Sequence, residues 1–164
     1  MKYADIRPTI RSGDLLAWSH REPWYRSWYD FKISMVRMFT RSEFSHTGTA
    51  WVVGDRVLVI EAVTPLVRIF PASKLLPFYH LPLNAKWSDD ALEYALSKIG
   101  EPYSQLQAVQ AFFRIPKEDS LWECAELTRL IALRDGIDLG VSATPSSVVN
   151  TAMDNGATAT LVKP

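Results

Sequence analysis

Two apolar runs in the first half of the chain predict a β-hairpin. They cover residues 47–53 and 56–63 and are separated only by Gly54 and Asp55. A two-residue turn of this composition is a strong hairpin signal, because glycine adopts at little cost the positive φ that such turns require. Further short apolar runs bounded by Gly or Pro predict additional strands at 14–19, 66–70, 78–81 and 157–162.

The second half of the chain changes to helical spacing. Ser88 is placed to cap a helix that closes near Gly100, and Thr144-Pro145 is a typical helix start, a cap followed by proline at the first helical position. Two more helices are predicted, at 105–113 and 121–134. Strands followed by helices without regular alternation favour an α+β fold, and the length favours one domain over 1–164.

An aromatic segment at 24–39 has two interpretations. Trp24, Trp28, Phe31 and Met35 recur at the spacing of one helix face, with basic residues among them. A helix packed on the sheet is the favoured interpretation, because aromatic stripes usually belong to the core. The alternative is a lid over a cleft, or a helix lying on a membrane surface.

Composition and charge exclude several classes of protein. Hydrophobic residues make up 48% of the 164 positions and charged residues 22%, as in a soluble globular protein, and no run reaches the roughly 18 apolar residues of a membrane span. Eighteen basic residues balance 18 acidic ones, which gives no indication of a nucleic-acid partner. No secretory signal is visible at the N-terminus, so a cytoplasmic location is expected, in a bacterial or a phage-infected host cell.

The predicted hairpin brings a histidine and a carboxylate together. If Val53 pairs with Arg56 across the turn, Glu61 lies opposite Gly48, and His46 lies on the same face as Gly48 because strand side chains alternate. His46 and Glu61 are then diagonal neighbours, with Cα atoms roughly 7–8 Å apart. A carboxylate at one imidazole nitrogen leaves the other nitrogen to act as a base. A one-residue bulge would instead place the two side chains on opposite faces.

The single cysteine lies at a predicted helix start. Ser120 and Glu123 fit a capping box that begins the helix at Leu121, so Cys124 falls at the end of the first turn. There the helix dipole still favours a thiolate, and a cysteine on the packed face of such a helix can meet a histidine on the sheet beneath. The alternative is an ordinary buried cysteine, which behaves as a small apolar residue.

Four short motifs, in this order, resemble a known family. They are S-H-T-G-T-A-W-V-V-G (45–54), V-I-E-A (59–62), G-E-P-Y (100–103) and C-A-E-L (124–127). Together they look like the circularly permuted branch of the NlpC-type papain-like enzymes, which includes the YiiX-like amidases and the lecithin:retinol acyltransferase group. In that branch the histidine precedes the cysteine, as here. The S-G-D-L-L at 12–16 is similar to the first strand of YiiX-like members.

The resemblance implies a papain-like sheet packed against helices and a role for each matching residue. Cys124 would be the nucleophile, His46 the general base, and Glu61 the residue that orients His46. Tyr103 would line the cleft or assist the oxyanion, although Ser104 stands where family members often carry aspartate. The implied activity is that of a cysteine hydrolase (amidase or peptidase) or an acyltransferase, on a peptide, a peptidoglycan-like molecule or an acyl lipid.

Two rival functions remain open. One is a binding module that keeps the fold without catalysis. The other is a zinc enzyme that uses His46, Cys124 and a carboxylate, but closely spaced ligand pairs are lacking, so no metal and no cofactor is expected. Phosphate-binding and dinucleotide-binding glycine motifs are also lacking. His20 and His80 have no evident partners in the sequence, so each is expected to be structural or exposed. The oligomeric state is not predicted.

Overall fold

An antiparallel sheet is formed by the apolar runs of the sequence. The computed structural model describes residues 1–19, 43–102, 124–141 and 144–164. In these ranges six strands form one sheet in the order β4-β3-β2-β1-β5-β6. The strands are β1 Leu15–Trp18, β2 His46–Val53, β3 Arg56–Val63, β4 Leu66–Pro71, β5 Phe78–Leu81 and β6 Thr160–Val162.

Four helices accompany the sheet in the described ranges: α1 Tyr3–Ile6, α2 Asp89–Ser97, α3 Cys124–Arg134 and α4 Pro145–Asp154. Short 3-10 turns lie at Arg7–Thr9 and Ala72–Lys74. The α+β class is therefore confirmed. No helix in the described part of the chain is long and apolar enough to cross a membrane.

The β2–β3 hairpin has the predicted register. Its pairs run from Thr49 opposite Ile60 to Val53 opposite Arg56, so the turn holds two residues. Gly54 has a φ of 61°, the left-handed conformation that this turn needs. The register matters for function because it decides which side chains of β2 and β3 share a face.

The sheet buries both of its faces. On one face Leu15 and Ala17 pack against α3 and α4, and Ile60 and Ala62 pack against α3. On the other face a second cluster packs under the N-terminal segment, formed by Ile6, Ile10, Leu16, Ala50, Val59 and Phe78. Each fully buried Leu, Ile, Val or Phe stabilises the fold by about 1.5–3 kcal/mol.

Helix boundaries follow local signals in the sequence. The Ser88 side chain accepts a hydrogen bond from Ala91 N at the start of α2, and the Thr144 side chain accepts one from Ser147 N at the start of α4. Helix α3 ends at Arg134, just before Gly136, whose φ is 78°. The caps predicted at residues 88 and 144 are thus confirmed.

Two elements differ from the sequence-based predictions. Helix α1 was not predicted, because it has only four residues and depends on a remote contact in which Tyr3 N donates to Lys163 O at 2.8 Å. Strand β6 is shorter than the predicted 157–162. The helices predicted at 24–39 and 105–113 lie outside the described residues, as does the proposed capping box at Ser120.

Candidate active site

The predicted contact between His46 and Glu61 is confirmed. His46 opens β2 and Glu61 lies on β3, and Nε2 of the ring is 2.7 Å from Oε2 of the carboxylate. The two side chains therefore share a face, and no bulge separates them. Gly48 makes room for the contact, because a Cβ at this position would lie 2.6 Å from Val59 Cγ2 and 3.3 Å from Glu61 Cβ.

Glu61 is buried and is held from both sides. Its side chain is 2% exposed, and Oε1 accepts from Arg68 Nε at 2.9 Å and lies 2.7 Å from Arg68 Nη2. Burial by itself raises the pKa of the carboxyl, but the hydrogen bonds and charges of His46 and Arg68 outweigh burial and lower the pKa of Glu61. Glu61 is thus a carboxylate at neutral pH.

An aromatic side chain covers the histidine ring. Trp18 lies on β1 directly opposite His46, and the two ring centroids are 5.2 Å apart at an interplanar angle of 42°. Trp18 is itself held by its indole Nε1, which donates to Leu75 O at 2.7 Å. This packing limits the rotation of the imidazole. Sequence analysis did not identify Trp18 or Arg68 as site residues.

Cys124 is buried beside the start of β2. The thiol residue is 7% exposed, and the backbone N–H groups of Thr47 and Ala125 donate towards its sulfur. The Thr128 hydroxyl in α3 lies 3.4 Å from the Thr47 hydroxyl, so Thr47 faces α3. His46, the preceding residue, then points to the other face.

The thiol of Cys124 and the imidazole of His46 therefore meet at the end of strand β2, and not across the face of the sheet that packs against α3. Sequence analysis expected Cys124 to meet a histidine on the sheet, and His46, the first residue of β2, does interact with the thiol.

The electrostatics of Cys124 and His46 favour a charge-separated pair. Burial raises the pKa of the thiol, but the charge of His46, its hydrogen bond and the two backbone N–H groups lower the pKa of Cys124 below its usual value. Burial lowers the pKa of His46, but a Cys124 thiolate and the Glu61 carboxylate raise that pKa to about 9. A thiolate facing an imidazolium is the reactive form of a cysteine nucleophile.

Some predicted features are not tested by this arrangement. Tyr103 and Ser104 lie outside the described residues, as do His20 and residues 121–123 before the cysteine. Across the described ranges, no group of three His, Cys, Asp or Glu side chains has the arrangement of a metal site.

His80 is structural, one of the two alternatives expected for it, and it has a partner that could not be identified from the sequence. His80 Nε2 lies 2.8 Å from Asp14 Oδ2, and both side chains are only 3% exposed. The same carboxylate accepts from the backbone N–H groups of Arg11 and Leu83. This pair joins the residue just before β1 to β5 in the interior of the fold. No local pattern reveals the pair, because the two strands are far apart in the chain.

Comparisons with known proteins find a distant structural similarity that supports the fold. No protein-family model matches the chain, and no curated protein sequence matches it. The fold is similar to a solved structure of YiiX from Escherichia coli O157:H7, a metalloprotein of the domain of unknown function DUF1105. That similarity has a TM-score of 0.57 and 18% sequence identity, and it covers 80% of this chain and 69% of the other. It is consistent with the YiiX-like branch of the resemblance and shows the fold alone.

Proposed function

We propose that the protein is a cysteine-dependent hydrolase (amidase or peptidase) or an acyltransferase of the permuted papain-like type, related to the NlpC-type enzymes and the lecithin:retinol acyltransferase group. Cys124 is the nucleophile, His46 the general base and acid, and Glu61 the residue that orients His46. One observation carries the proposal: a buried thiol on α3 interacts with an imidazole on β2, which in turn binds a buried carboxylate on β3.

The contact of Nε2 with Glu61 assigns the roles of the ring nitrogens. Since Glu61 Oε2 accepts from Nε2, the Nδ1 nitrogen is the one available to the thiol. The imidazole takes the thiol proton and becomes an imidazolium, which the Glu61 carboxylate stabilises. The sulfur is then a thiolate at neutral pH, where an isolated thiol with a pKa of about 8.5 is mostly protonated.

The reaction follows in two steps. The Cys124 thiolate attacks the carbonyl carbon of an amide or ester, and the tetrahedral oxyanion is stabilised by backbone N–H groups, including that of Cys124 itself. The C–N or C–O bond then breaks while His46 gives its proton to the leaving amine or alcohol, and a thioester remains on the sulfur. Water, activated by His46, releases the acid by hydrolysis, whereas an amine or alcohol in the place of water gives acyl transfer.

The substrate belongs to a class rather than to a named compound. A peptide, a peptidoglycan-like molecule or an acyl lipid each offers the carbonyl that the mechanism needs. Tyr103 is proposed to line the cleft or assist the oxyanion, on the strength of the G-E-P-Y motif. Ser104 stands where members of that family often carry aspartate, so we propose that this protein recognises its substrate differently from those members. A cytoplasmic setting is part of the proposal.

The experiment must distinguish the proposed enzyme from a binding module that has the same fold but no catalytic activity. We would treat the protein with a p-nitrophenyl ester and follow the acyl adduct by intact mass and p-nitrophenol release by absorbance. The proposal predicts an adduct on Cys124 that turns over, a Cys124→Ala variant without adduct, and a His46→Gln variant with a severalfold slower or absent reaction. Arg56→Gln, an exposed change on β3, is the control that keeps wild-type behaviour.

Two results would reject the proposal. The first is a wild-type protein that forms no adduct, or forms one no faster than a free thiol does and never releases it. The second is stoichiometric zinc in the purified protein, lost in both the Cys124→Ala and His46→Gln variants, since the thiol and the imidazole would then be metal ligands. Elemental analysis of the same samples measures this, and it is a relevant check because the similar YiiX structure is described as a metalloprotein.

A further inference from the structure

A row of three side chains crosses the sheet at the candidate site. His46 on β2, Glu61 on β3 and Arg68 on β4 lie on the same face, and Arg68 is the direct cross-strand partner of Glu61. Directly opposite residues of antiparallel strands are the closest side-chain neighbours in a sheet. The third member of the row is therefore placed by strand register as firmly as the first two.

The two oxygens of the Glu61 carboxylate are divided between its neighbours. Oε1 takes both contacts from Arg68, at 2.9 Å from Nε and 2.7 Å from Nη2, while Oε2 takes the contact from His46. The terminal torsion of a glutamate is broad, so a carboxylate held at one oxygen only can rotate. A planar guanidinium that binds the other oxygen removes this freedom.

We infer that Arg68 is a positioning residue of the site: it clamps Oε1 of Glu61 so that Oε2 stays aimed at His46, and so keeps the thiol–imidazole pair competent at acidic pH. The inference rests on the proposed function and adds a fourth residue to it. Arg68 itself is steadied by Phe70, whose ring centroid lies 4.6 Å from the guanidinium carbon.

The charges around Glu61 support this role. Among the described residues, the titratable or charged groups that face its carboxylate are His46 from β2 and Arg68 from β4, and both favour the ionised form. When His46 has given its proton to a leaving group, Arg68 is the cation that remains. The Arg68 side chain is 40% exposed, so water screens part of its charge. We therefore expect Arg68 to lower the pKa of Glu61 by an amount at the lower end of the range usual for an arginine beside a carboxyl group.

The test uses the chain's single cysteine, which makes alkylation by iodoacetamide specific for Cys124. Rates would be measured from pH 4.5 to 10 in the wild type, Arg68→Gln, Arg68→Lys and the control Arg56→Gln. We expect Arg68→Gln to move the acidic midpoint of the rate profile upwards by up to about one pH unit. Arg68→Lys should move the midpoint by a smaller amount, because lysine keeps the positive charge but lacks the planar guanidinium that binds a carboxylate through two nitrogens. Arg56→Gln should leave the midpoint unchanged.

A double-mutant cycle separates positioning from a general effect on the fold. In a Glu61→Gln background the Arg68→Gln change should produce no further shift, since the residue through which Arg68 acts is gone. A side chain that only stabilises β4 would lower the melting temperature and leave the midpoint where it was. If Arg68→Gln does not fold, as judged by circular dichroism, the smaller shift of Arg68→Lys carries the test.

The outcomes distinguish the two proposals. Fast wild-type alkylation at pH 6 with an unmoved midpoint in both Arg68 variants would overturn the role of Arg68 and leave the proposed function standing. Wild-type alkylation no faster than that of a free thiol would overturn the proposed function, and the role of Arg68 with it. A shift that persists in the Glu61→Gln background would also overturn the inference, because Arg68 would then act by another route.

Discussion

Replacing His46 with glutamine should slow the alkylation of Cys124 at pH 6 and make little or no difference, or a reversed one, at pH 9–10. The imidazolium is the group that lowers the pKa of the thiol, whereas burial raises it. Without the ring, Cys124 becomes a buried thiol with only backbone N–H groups for support. Its pKa should then lie at or above the ordinary value of about 8.5. The Glu61 carboxylate keeps its contacts with Arg68, so the rest of the site retains its charges.

The size of the effect follows from the thiolate fraction. At pH 6 an ordinary thiol is about 0.3% ionised, whereas a thiol held as an ion pair is mostly ionised, a gain of roughly 300-fold. Nucleophilicity falls with pKa, and a Brønsted slope of about 0.45 offsets roughly half of that gain, or somewhat more, on a logarithmic scale. The wild type should thus react with iodoacetamide on the order of 10-fold faster than His46→Gln at pH 6.

Comparing the same cysteine in two variants cancels most of the effect of limited access, since Cys124 is 7% exposed in the fold. The pKa of His46 is raised to about 9, so the wild-type rate should stay nearly flat from about pH 6 to 8 and change as the imidazolium loses its proton near pH 9. At pH 9–10 the variant thiol is itself ionised, and the two rates should converge or cross.

A quenched time course followed by intact mass measures both rates. The reasoning would be refuted if the ratio at pH 6 were close to one, or if it stayed constant between pH 6 and 10. The first result would mean that the imidazole does not ionise the thiol. The second would mean that the substitution merely changed access to the sulfur.

Two further predictions concern the framework of the site. Asp14→Ala should lower the free energy of unfolding, measured by urea titration, by about 3–5 kcal/mol, because it leaves buried His80 without its partner. The exposed control change Asp90→Asn should lower it by less than about 0.5 kcal/mol. Equal effects of the two changes would contradict a structural role for the Asp14–His80 pair. Gly48→Ala should lower the free energy of unfolding by about 1–3 kcal/mol and slow the alkylation of Cys124, because the added Cβ would lie 2.6 Å from Val59 Cγ2. An unchanged melting temperature and alkylation rate would show that the strands move apart without disturbing the site.

Short-range signals predicted the parts of the fold that short-range physics controls. The two-residue turn at Gly54 fixed the β2–β3 register, and with it the shared face of His46 and Glu61. The cap at Ser88 needs only the backbone N–H groups that follow it. In each case the interacting groups are close in the chain or connected by one tight turn, so their geometry follows from the local sequence.

Arg68 could have been found by the same reasoning. Val63 pairs with Leu66 across another two-residue turn, and that register places Arg68 opposite Glu61. The turn that predicts this register lies in the sequence itself, directly after the first hairpin. Trp18 is different, because its contact with His46 requires β1 to pair with β2, and residues 19–45 separate these strands in the chain.

The sequence by itself determined the hairpin, the helix caps, the α+β class and the face shared by His46 and Glu61. Only the tertiary structure decided that Cys124 reaches His46 around the end of β2, that Trp18 covers the ring, and that Asp14, just before β1, binds His80 on β5. The physical reason is strand order. A sheet assembles distant segments side by side to bury apolar surface, and no local pattern specifies which segments become neighbours.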